Sequence, residues 1–556
     1  MAGVRFDGSL SPRRRQRELT WLLATVALAA LFRVGLVLMP RVIRWDEPDY
    51  LWLGHSLLAG SGFTISGIPE LHYTPLYALL SGTVFWVTGL PELGSDVWFV
   101  VCGAAMVLPV YALARRLYGW RTGLIAALLT AIFPALSASI LYWGTMTEPL
   151  FVLLVYLAAW AMLTALDAES IWAWAVTGGI LALAYLCRPE GLVWFAAGGA
   201  LLILGALLRS RVRFRRLLLS AGLYVVSFAL VASPYIVYLW RDTGSPMLTG
   251  KLSITHDIGQ AVLDRNPVLY DQVTASLDEN GEILWWSRDR FEQSIVDVIR
   301  QDPSGFVART RQNVLQARSQ LFSSLVFPLF LLAPVILGWF RHPWTTERLR
   351  GEAVLWTSAL PVLSFLPFHV EVRFFAPAIP ALLMWLASGL IETSSWVADT
   401  YGRWLRGRRW VIDARWMRWQ ARALAVLCAL VVTFVGVTHV RVVRRGVRDL
   451  AFAHKEAGLW LRDHAEPDAR VMSRDLAVSL YARRGHVASP RAEYEQWIEY
   501  ARHKGADYVV VDERELRVLR PHLAFLLDPG NAPADLEAVF EANDRRGATI
   551  VYRIEG

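Results

Sequence analysis

Cysteine is scarce in this sequence, with three residues among 556. Cys102, Cys187 and Cys428 all lie in or beside apolar runs and show no C-x-x-C spacing. The sequence therefore indicates neither a zinc site nor a disulfide framework. It also lacks a P-loop, a G-x-G-x-x-G motif and a paired acid–histidine metal motif, so nothing in it indicates a cytosolic nucleotide as energy source or donor.

Apolar residues are abundant and come in runs long enough to cross a bilayer. They make up 55% of the chain, the mean hydropathy is +0.37, and 25 tryptophans suit positions at the lipid headgroups. Runs of about 17–25 residues can cross roughly 30 Å of hydrocarbon. The sequence predicts a mainly α, polytopic membrane helix bundle. Its expected spans, about eleven in number, are 19–40, 96–115, 122–140, 149–166, 171–187, 191–208, 217–240, 321–340, 352–368, 374–392 and 421–441.

A further apolar stretch, 74–90, decides the topology. If it does not cross, the arginine-rich segments fall in the cytosol, as the positive-inside rule requires. These segments are 13–17, 115–121, 209–216, 341–350 and 403–422. The short outer loops then hold only four arginines, Arg41, Arg44, Arg188 and Arg373. We therefore predict that 74–90 is an interfacial or re-entrant helix in the first outer loop, with the N-terminus of the chain inside and the C-terminus outside.

This topology divides the chain into three parts. Residues 1–18 form a cytoplasmic N-terminus, and 19–448 form a transmembrane catalytic domain with outer loops at 41–95 and 241–320. Residues 449–556 are predicted to form a small extracytoplasmic α/β domain. Its strand-like runs are 470–473, 508–512 and 549–554, and its helical runs lie near 449–464, 492–503 and 514–526.

Acidic residues gather at the outer ends of two spans. Asp46, Glu47 and Asp49 follow the first span directly, and Glu148 lies in the next short outer connection. A deprotonated carboxylate there could act as a general base toward a hydroxyl or hold a cation. The structural alternative, of about equal weight for Asp46 alone, is a solvated helix start ahead of Pro48. The predicted location of Asp46 and Glu148 on one side favours the functional interpretation.

Two arginines stand out because short outer loops otherwise contain almost none. Arg188 and Arg373 each turn the chain between two spans and are candidates to bind a phosphate or pair with an acid. Snorkelling to ordinary lipid phosphates is the alternative. His369 shares the turn of Arg373, whereas His72 and Tyr73 precede the interfacial helix and could line a cavity.

The motifs together resemble the glycosyltransferase C superfamily, in the branch of the protein O-mannosyltransferases and the lipid A aminoarabinose transferase. The likeness covers nearly the whole chain, and the order and spacing of the motifs carry it. The matching features are Asp46-Glu47 with Tyr50 after the first span, Tyr73-Thr74-Pro75-Leu76-Tyr77, the run Ala-Arg-Arg-Leu-Tyr-Gly at 114–119, Glu148, Val372-Arg373-Phe374-Phe375 with Pro377 and Pro380, and a soluble outer tail.

The resemblance implies roles for individual residues. Asp46 would be the catalytic base, Glu47 and Tyr50 would shape its site, and Glu148 stands where relatives more often have Asp. Arg373 and Arg188 would bind the donor phosphate. Some relatives carry a basic residue just before the helix-starting proline, where this chain has Thr74, so His72 or Tyr73 would substitute for that contact. The expected site residues are Asp46, Glu47 and Glu148 for catalysis, Arg373, Arg188 and His72 for the phosphate, and Tyr50, Tyr73 and His369 for the cavity.

The implied activity is an inverting transfer of a sugar from a polyprenyl-phosphate donor to an acceptor hydroxyl at the outer face of the plasma membrane. The expected partners are that donor, an acceptor protein, lipid or glycan, and membrane lipids, without nucleic acid. No cofactor or metal is expected. The alternative is a transporter or flippase of a polyprenyl-linked saccharide, which would carry polar residues midway through several spans and often inverted repeats. Apart from Arg33, the charges collect at the outer ends of the spans, which favours the enzyme.

Overall fold

The computed structural model describes residues 12–144, 146–208, 214–287, 295–406 and 413–555, and is mainly helical. Most of the expected cytoplasmic segment 1–18 therefore lies outside the described residues, as do Arg209, Arg211 and Arg213. The helices up to residue 448 are α1 Pro12–Val37, α2 Glu47–Leu58, α3 Pro75–Thr88, α4 Pro91–Ala105, α5 Val107–Tyr118, α6 Trp120–Ile132, α7 Ala138–Trp143, α8 Thr147–Ala168, α9 Ile171–Cys187, α10 Gly191–Leu207, α11 Phe214–Thr243, α12 Lys251–Leu263, α13 Pro267–Ala275, α14 Ile295–Gln301, α15 Pro303–Leu321, α16 Leu332–Trp339, α17 Thr346–Ala359, α18 Ile379–Arg406 and α19 Asp413–Arg448.

The chain is a multi-pass membrane protein. Among the described residues, six helices are long and apolar enough to cross a bilayer, at Pro12–Val37, Pro91–Tyr118, Thr147–Ala168, Phe214–Thr243, Val372–Tyr401 and Arg418–Arg448. Shorter apolar helices are Pro75–Thr88, Trp120–Ile132, Ile171–Cys187, Gly191–Leu207 and Leu329–Trp339. Two expected spans are less regular than predicted. The span at 96–115 breaks at Met106, and the span at 352–368 continues after Ala359 as a 3-10 helix.

Helices α2 and α3 form a closely packed pair in the first loop. Both carry proline in their first turn, where the missing N–H costs no helical hydrogen bond. They cross at Gly54 and Gly82, since a Cβ on Gly54 would lie 1.8 Å from the carbonyl oxygen of Ala78. Gly82 is therefore a helical residue that allows a close crossing.

Helix α3 is short, and each of its ends contacts another part of the structure. Its 14 residues span about 21 Å, less than the roughly 30 Å of a hydrocarbon core. Tyr73, just before it, donates to Asp49 in α2. Gly89, just after it, accepts a hydrogen bond of 2.7 Å from Arg483 in the C-terminal segment, which also binds Glu92 through Lys455.

The C-terminal segment, residues 449–556, contains a five-stranded mixed sheet. Its helices are α20 Phe452–His464, α21 Leu476–Ala482 and α22 Tyr494–His503, and its strands are β3 Arg470–Ser473, β4 Gly485–Ala488, β5 Tyr508–Asp512, β6 Leu536–Asp544 and β7 Gly547–Ile554. The order is β4-β3-β5-β7-β6, with the first two pairings parallel and the last two antiparallel. The predicted strands at 470–473 and 508–512 are confirmed with those bounds. A two-stranded ribbon, β1 Thr64–Ile65 with β2 Ile68–Pro69, lies in the first loop.

A stretch of the long loop, residues 267–287, joins the C-terminal segment to the membrane bundle. The Asp271 carboxylate is buried and accepts hydrogen bonds from Arg474 at 2.9 Å and Arg520 at 3.1 Å. Ile283 belongs to the hydrophobic core of the C-terminal segment, and Trp286 packs against that core and the bundle core alike. This stretch therefore fixes the position of one part relative to the other.

Candidate active site

Asp46 stands at the start of α2 and pairs with a distant arginine. Trp45 before it has a φ of 57°, a left-handed conformation that is rare for bulky residues and that clusters at functional sites. The Asp46 carboxylate accepts a hydrogen bond of 2.9 Å from Nη1 of Arg373 and keeps 30% of its side-chain surface exposed. Asp46 is thus oriented by a cation while remaining accessible to a substrate.

Glu148 makes the equivalent pair with Arg188. It lies in the first turn of α8, after Met146, whose φ of 59° is the second left-handed outlier beside an acidic candidate. Its carboxylate accepts a hydrogen bond of 2.6 Å from Nη1 of Arg188, and both side chains are buried. Arg188 also reaches Glu190 through Nε at 3.4 Å.

The ring of Phe374 brings the two pairs together. The guanidinium carbon of Arg188 lies 5.7 Å from the ring centroid, and that of Arg373 lies 5.4 Å from it. The structure therefore gathers Asp46, Glu148 and both arginines around one aromatic side chain. Four residues from four separate regions of the sequence form this cluster, although their chemical roles stay predictions.

Glu47 points away from this cluster. Its carboxylate is fully buried and accepts a hydrogen bond of 3.2 Å from Nη1 of Arg41. Ser95 also donates to it, and Arg41 reaches Asp96 at 3.0 Å. Because consecutive helix residues point about 100° apart, Asp46 and Glu47 face different surroundings. Glu47 is therefore placed to hold the loop of Asp46 against α4 rather than to touch a substrate.

Tyrosines line the side of the cluster formed by α2 and α3. The Tyr50 ring packs edge-on against Tyr73 and Tyr77, with centroids 5.0 and 5.3 Å away. Tyr73 donates a hydrogen bond of 3.3 Å to Asp49, one turn after Asp46. Burial, then the charges of Asp46 and Glu70, raise the pKa of Asp49 well above its usual value. This surrounding favours the neutral form of Asp49 beside Asp46.

His72 lies apart from the arginines. Its ring bonds the Glu70 carboxylate at 2.9 Å and lies 4.5 Å, between centroids, from the Trp285 ring. The indoles of Trp285 and Trp286 donate to the other Glu70 oxygen at 3.2 and 2.9 Å. Glu70, which the sequence did not single out, therefore joins the first loop to the 267–287 stretch. His72 is placed to orient Glu70, and its expected phosphate contact has no geometric support.

His369 reaches Arg373 only through an intervening carboxylate, that of Glu371. Its Nε2 is 3.6 Å from Glu371, which accepts a hydrogen bond of 2.6 Å from Nε of Arg373. Burial alone would raise the pKa of Glu371, but Arg373 and His369 lower it below its usual value. Glu371 is thus a fixed anion that holds Arg373 toward Asp46, and His369 supports it.

Lys251 is a further cation beside the tyrosines of the cluster, at a position for which the sequence gives only a weak signal. It begins α12, and its ammonium lies 5.8 Å from the centroid of the Tyr73 ring. Burial lowers its pKa, while the charges of Glu190 and Asp46 raise it and those of Arg188 and Arg373 lower it. A single lysine in a long polar loop has little to distinguish it in the sequence, so only the fold shows that it faces the cluster.

Metal binding has no direct support in the described part of the chain. No group of three or more His, Cys, Asp or Glu side chains is arranged there to hold an ion. The expectation that no metal is needed stays a prediction.

Comparisons with known proteins agree with the motifs. Residues 72–238 match the family of dolichyl-phosphate-mannose-protein mannosyltransferases. ArnT from Cupriavidus metallidurans bound to undecaprenyl phosphate superposes with a TM-score of 0.55 and 13% identity, covering 96% of this chain and 98% of that one. The apo oligosaccharyltransferase of Archaeoglobus fulgidus gives a TM-score of 0.53 and 16% identity, over 96% and 74%. No curated protein matches by sequence. The two solved structures show that this chain shares their fold, and the family match over residues 72–238 agrees with the resemblance that the motifs indicate.

Proposed function

We propose that this chain, which has the fold of the glycosyltransferase C superfamily, is an inverting glycosyltransferase. It takes a sugar from a polyprenyl-phosphate donor and transfers it to an acceptor hydroxyl. The observation that carries the proposal is the pairing of Asp46 with Arg373 and of Glu148 with Arg188 around a single ring. This arrangement supplies a base for a hydroxyl and donors for a phosphate at one place.

Both arginines retain donors for a phosphate. Arg373 uses Nε toward Glu371 and Nη1 toward Asp46, and Arg188 uses Nε toward Glu190 and Nη1 toward Glu148. Among the described residues, no hydrogen bond involves Nη2 of either side chain. The carboxylates therefore orient the two guanidinium groups and leave one edge of each available to the donor lipid.

The proposed step is a single displacement. The acceptor oxygen attacks the anomeric carbon while the bond from that carbon to the phosphate oxygen breaks. The acceptor proton passes to Asp46, and the electron pair of the broken bond stays on the polyprenyl phosphate. Arg373, Arg188 and Lys251 stabilise the charge that develops on this leaving group. Undecaprenyl phosphate bound to ArnT supports a lipid of this class as the donor.

The proposal includes the orientation of the chain. The site faces the outer side of the plasma membrane, about eleven spans cross it, α3 lies at the interface, and 449–556 form an extracytoplasmic domain. The arginine-rich inner segments support this orientation. The contacts at the two ends of α3, with Asp49 and with the C-terminal segment, support a helix that does not cross.

The test uses membranes that contain the chain and a panel of radiolabelled polyprenyl-phosphate sugars. One donor should lose its label to an acceptor in the wild type and not in the Asp46→Asn variant, with both proteins inserted equally. Label that crosses the membrane while the sugar–phosphate bond stays intact would instead establish a flippase. Full transfer by Asp46→Asn would remove Asp46 as the base.

A further inference from the structure

The last membrane helix ends in a row of unpaired arginines on the side of the candidate active site. Arg441, Arg444, Arg445 and Arg448 occupy the last two turns of α19. All four are exposed, and none forms an ion pair or side-chain hydrogen bond with the described residues. Asp449 follows directly, but its carbonyl contacts Arg44, and its carboxylate makes no ion pair with the four.

The four side chains point in one direction. With about 100° between consecutive residues, they fall within an arc of about 100° on the helix surface. The opposite side of the helix is buried and carries His439, Val442 and Gly446. The centre of this buried side lies about 130° to 150° around the helix axis from the centre of the arginine face. Gly446 packs there against the ring of Tyr142, four residues before Met146 and six before Glu148.

The arginine face continues the lipid-facing side of the helix. Leu430 and Val437, which are 63% and 45% exposed, lie in line with the arginines one to four turns earlier. Between residues 423 and 440 the helix carries no Asp, Glu, Lys or Arg. The row from 441 to 448 rises about 10 Å, enough to pass through the headgroup layer of one leaflet.

We propose that this arginine row is a docking surface for anionic phospholipid headgroups in the leaflet that faces the active site. Four like charges at i, i+3, i+4 and i+7 repel one another, so compensation has to come from outside the chain. Each basic residue at a membrane surface attracts anionic lipid headgroups. A zwitterionic headgroup offers its phosphate together with its own cation and compensates less. The inference goes beyond the proposed function, because it concerns no reacting group.

The site-side location is the unexpected feature. Arginines near a span normally mark the cytosolic side. This row, however, lies at the end of α19, and the next residue, Asp449, contacts Arg44, two residues before Asp46. The rule weakens when a long segment follows the span, as 449–556 does here. The positive-inside rule therefore does not explain the arginine row, whereas binding of anionic lipid headgroups does.

The experiment measures lipid enrichment beside the row. A bimane label on Val440→Cys is reconstituted into phosphatidylcholine vesicles that contain equal small fractions of acyl-spin-labelled phosphatidylglycerol or phosphatidylcholine. Quenching by phosphatidylglycerol should exceed quenching by phosphatidylcholine by roughly threefold or more at low salt and decline at high salt. The unsubstituted chain, with Cys102, Cys187 and Cys428, gives the background labelling.

Two matched variants decide the cause. Replacing all four arginines with Gln should bring the quenching ratio to about one, whereas replacing all four with Lys should keep it. A second label, on Trp21→Cys near the opposite membrane surface, should report an unchanged ratio in both variants, which shows that they insert normally. A ratio near one in the wild-type background, or an undiminished ratio in the Gln variant, would overturn the proposal. Neither result depends on sugar transfer.

Discussion

Asp46 and Arg373 lie 327 residues apart in the sequence, and a hydrogen bond of 2.9 Å joins them in the structure. The same guanidinium binds Glu371 through Nε at 2.6 Å. Two carboxylates therefore hold the Arg373 guanidinium. Arginine can bind both because its planar guanidinium carries several N–H donors in fixed directions, whereas the ammonium of lysine does not.

The conservative substitution Arg373→Lys should consequently impair transfer strongly. Loss of one positioned donor to a developing negative charge costs roughly 100- to 1000-fold in kcat, and Arg188→Lys should show a similar loss. The measurement is the steady-state rate of transfer with the donor that the radiolabelled panel identifies. Arg44→Lys is the control, because Arg44 lies in the same outer loop and contacts Asp449 rather than the cluster. Wild-type kcat in Arg373→Lys would exclude the phosphate role.

Asp49 offers a matched counterpart to Asp46. Burial and the charges of Asp46 and Glu70 raise the pKa of Asp49 well above its usual value and so favour its neutral form. An amide of nearly the same shape mimics that form. Asp49→Asn should therefore retain transfer within about threefold, while Asp46→Asn abolishes it. Rates of both variants at pH 7, in membranes of equal expression, make the comparison. Equal loss in the two variants would mean that Asp49 acts as an anion.

The sequence predicted the gathering of the main groups because each lies at an end of a membrane helix. Charge placement and motif order led to Asp46, Glu148, Arg188 and Arg373, and those four do meet. A helix over 74–90 was likewise expected and is present as α3. These features follow from hydropathy and from the placement of charges, and both can be read directly along the sequence.

The partners of individual side chains could not be predicted, because they depend on helix rotation and on loop conformation. Glu47 was expected at the site, yet one step along α2 rotates it into the pair with Arg41. His72 was expected at the phosphate, yet it bonds Glu70 two residues earlier. Lys251 and Asp271 reach their partners only through the fold of the long loop, which no periodic pattern describes.

Removal of divalent metal should leave transfer unchanged. The carboxylates nearest to the proposed reaction are compensated by guanidinium groups, namely Asp46 by Arg373 and Glu148 by Arg188, so an ion is not required to neutralise them. Transfer is measured in membranes treated with EDTA and in membranes supplied with Mg²⁺ or Mn²⁺. Activity that disappears with EDTA and returns with one ion would instead demand a metal-dependent mechanism.

Asp271 should govern how firmly the long loop is attached to the C-terminal segment. Asp271→Asn removes one of the two carboxylates that face the buried Arg520, the other being Glu515 at 2.9 Å. Because the buried charge loses part of its compensation, the change should cost up to about 3–5 kcal/mol. Hydrogen exchange of residues 276–286 should then rise. Glu282→Gln is the control. The Glu282 carboxylate pairs with Lys504 and is 42% exposed, and exposed ion pairs contribute under about 1 kcal/mol. Equal exchange in both variants would show that Asp271 is not the anchor.

His454 should give the C-terminal segment a stability that declines in alkaline solution. Its ring bonds Asp475 at 3.2 Å and Asp512 at 3.3 Å. Burial lowers the pKa of His454, but the two carboxylates raise it to about 10, whereas an unfolded histidine titrates near pH 6.5, at about its reference value. A proton held more tightly in the folded state stabilises it fully below pH 6.5. That contribution is lost as the pH rises toward 10.

Two neighbours titrate outside most of this window, which makes the effect separable. Burial raises the pKa of Glu515 to about 7. The contribution of Glu515 to folding stability is therefore lost as the pH rises from the ordinary pKa of a glutamate to about 7. Burial lowers the pKa of His486 to about 3. Hydrogen exchange of the strand Tyr508–Asp512 should therefore accelerate steadily from pH 7 to 10, after correction for the intrinsic rate. In His454→Asn the corrected exchange should already be fast at pH 7 and change little, while the exposed His503→Asn should follow the wild type. A wild-type profile that stays flat over this range would mean that His454 is neutral between its two carboxylates.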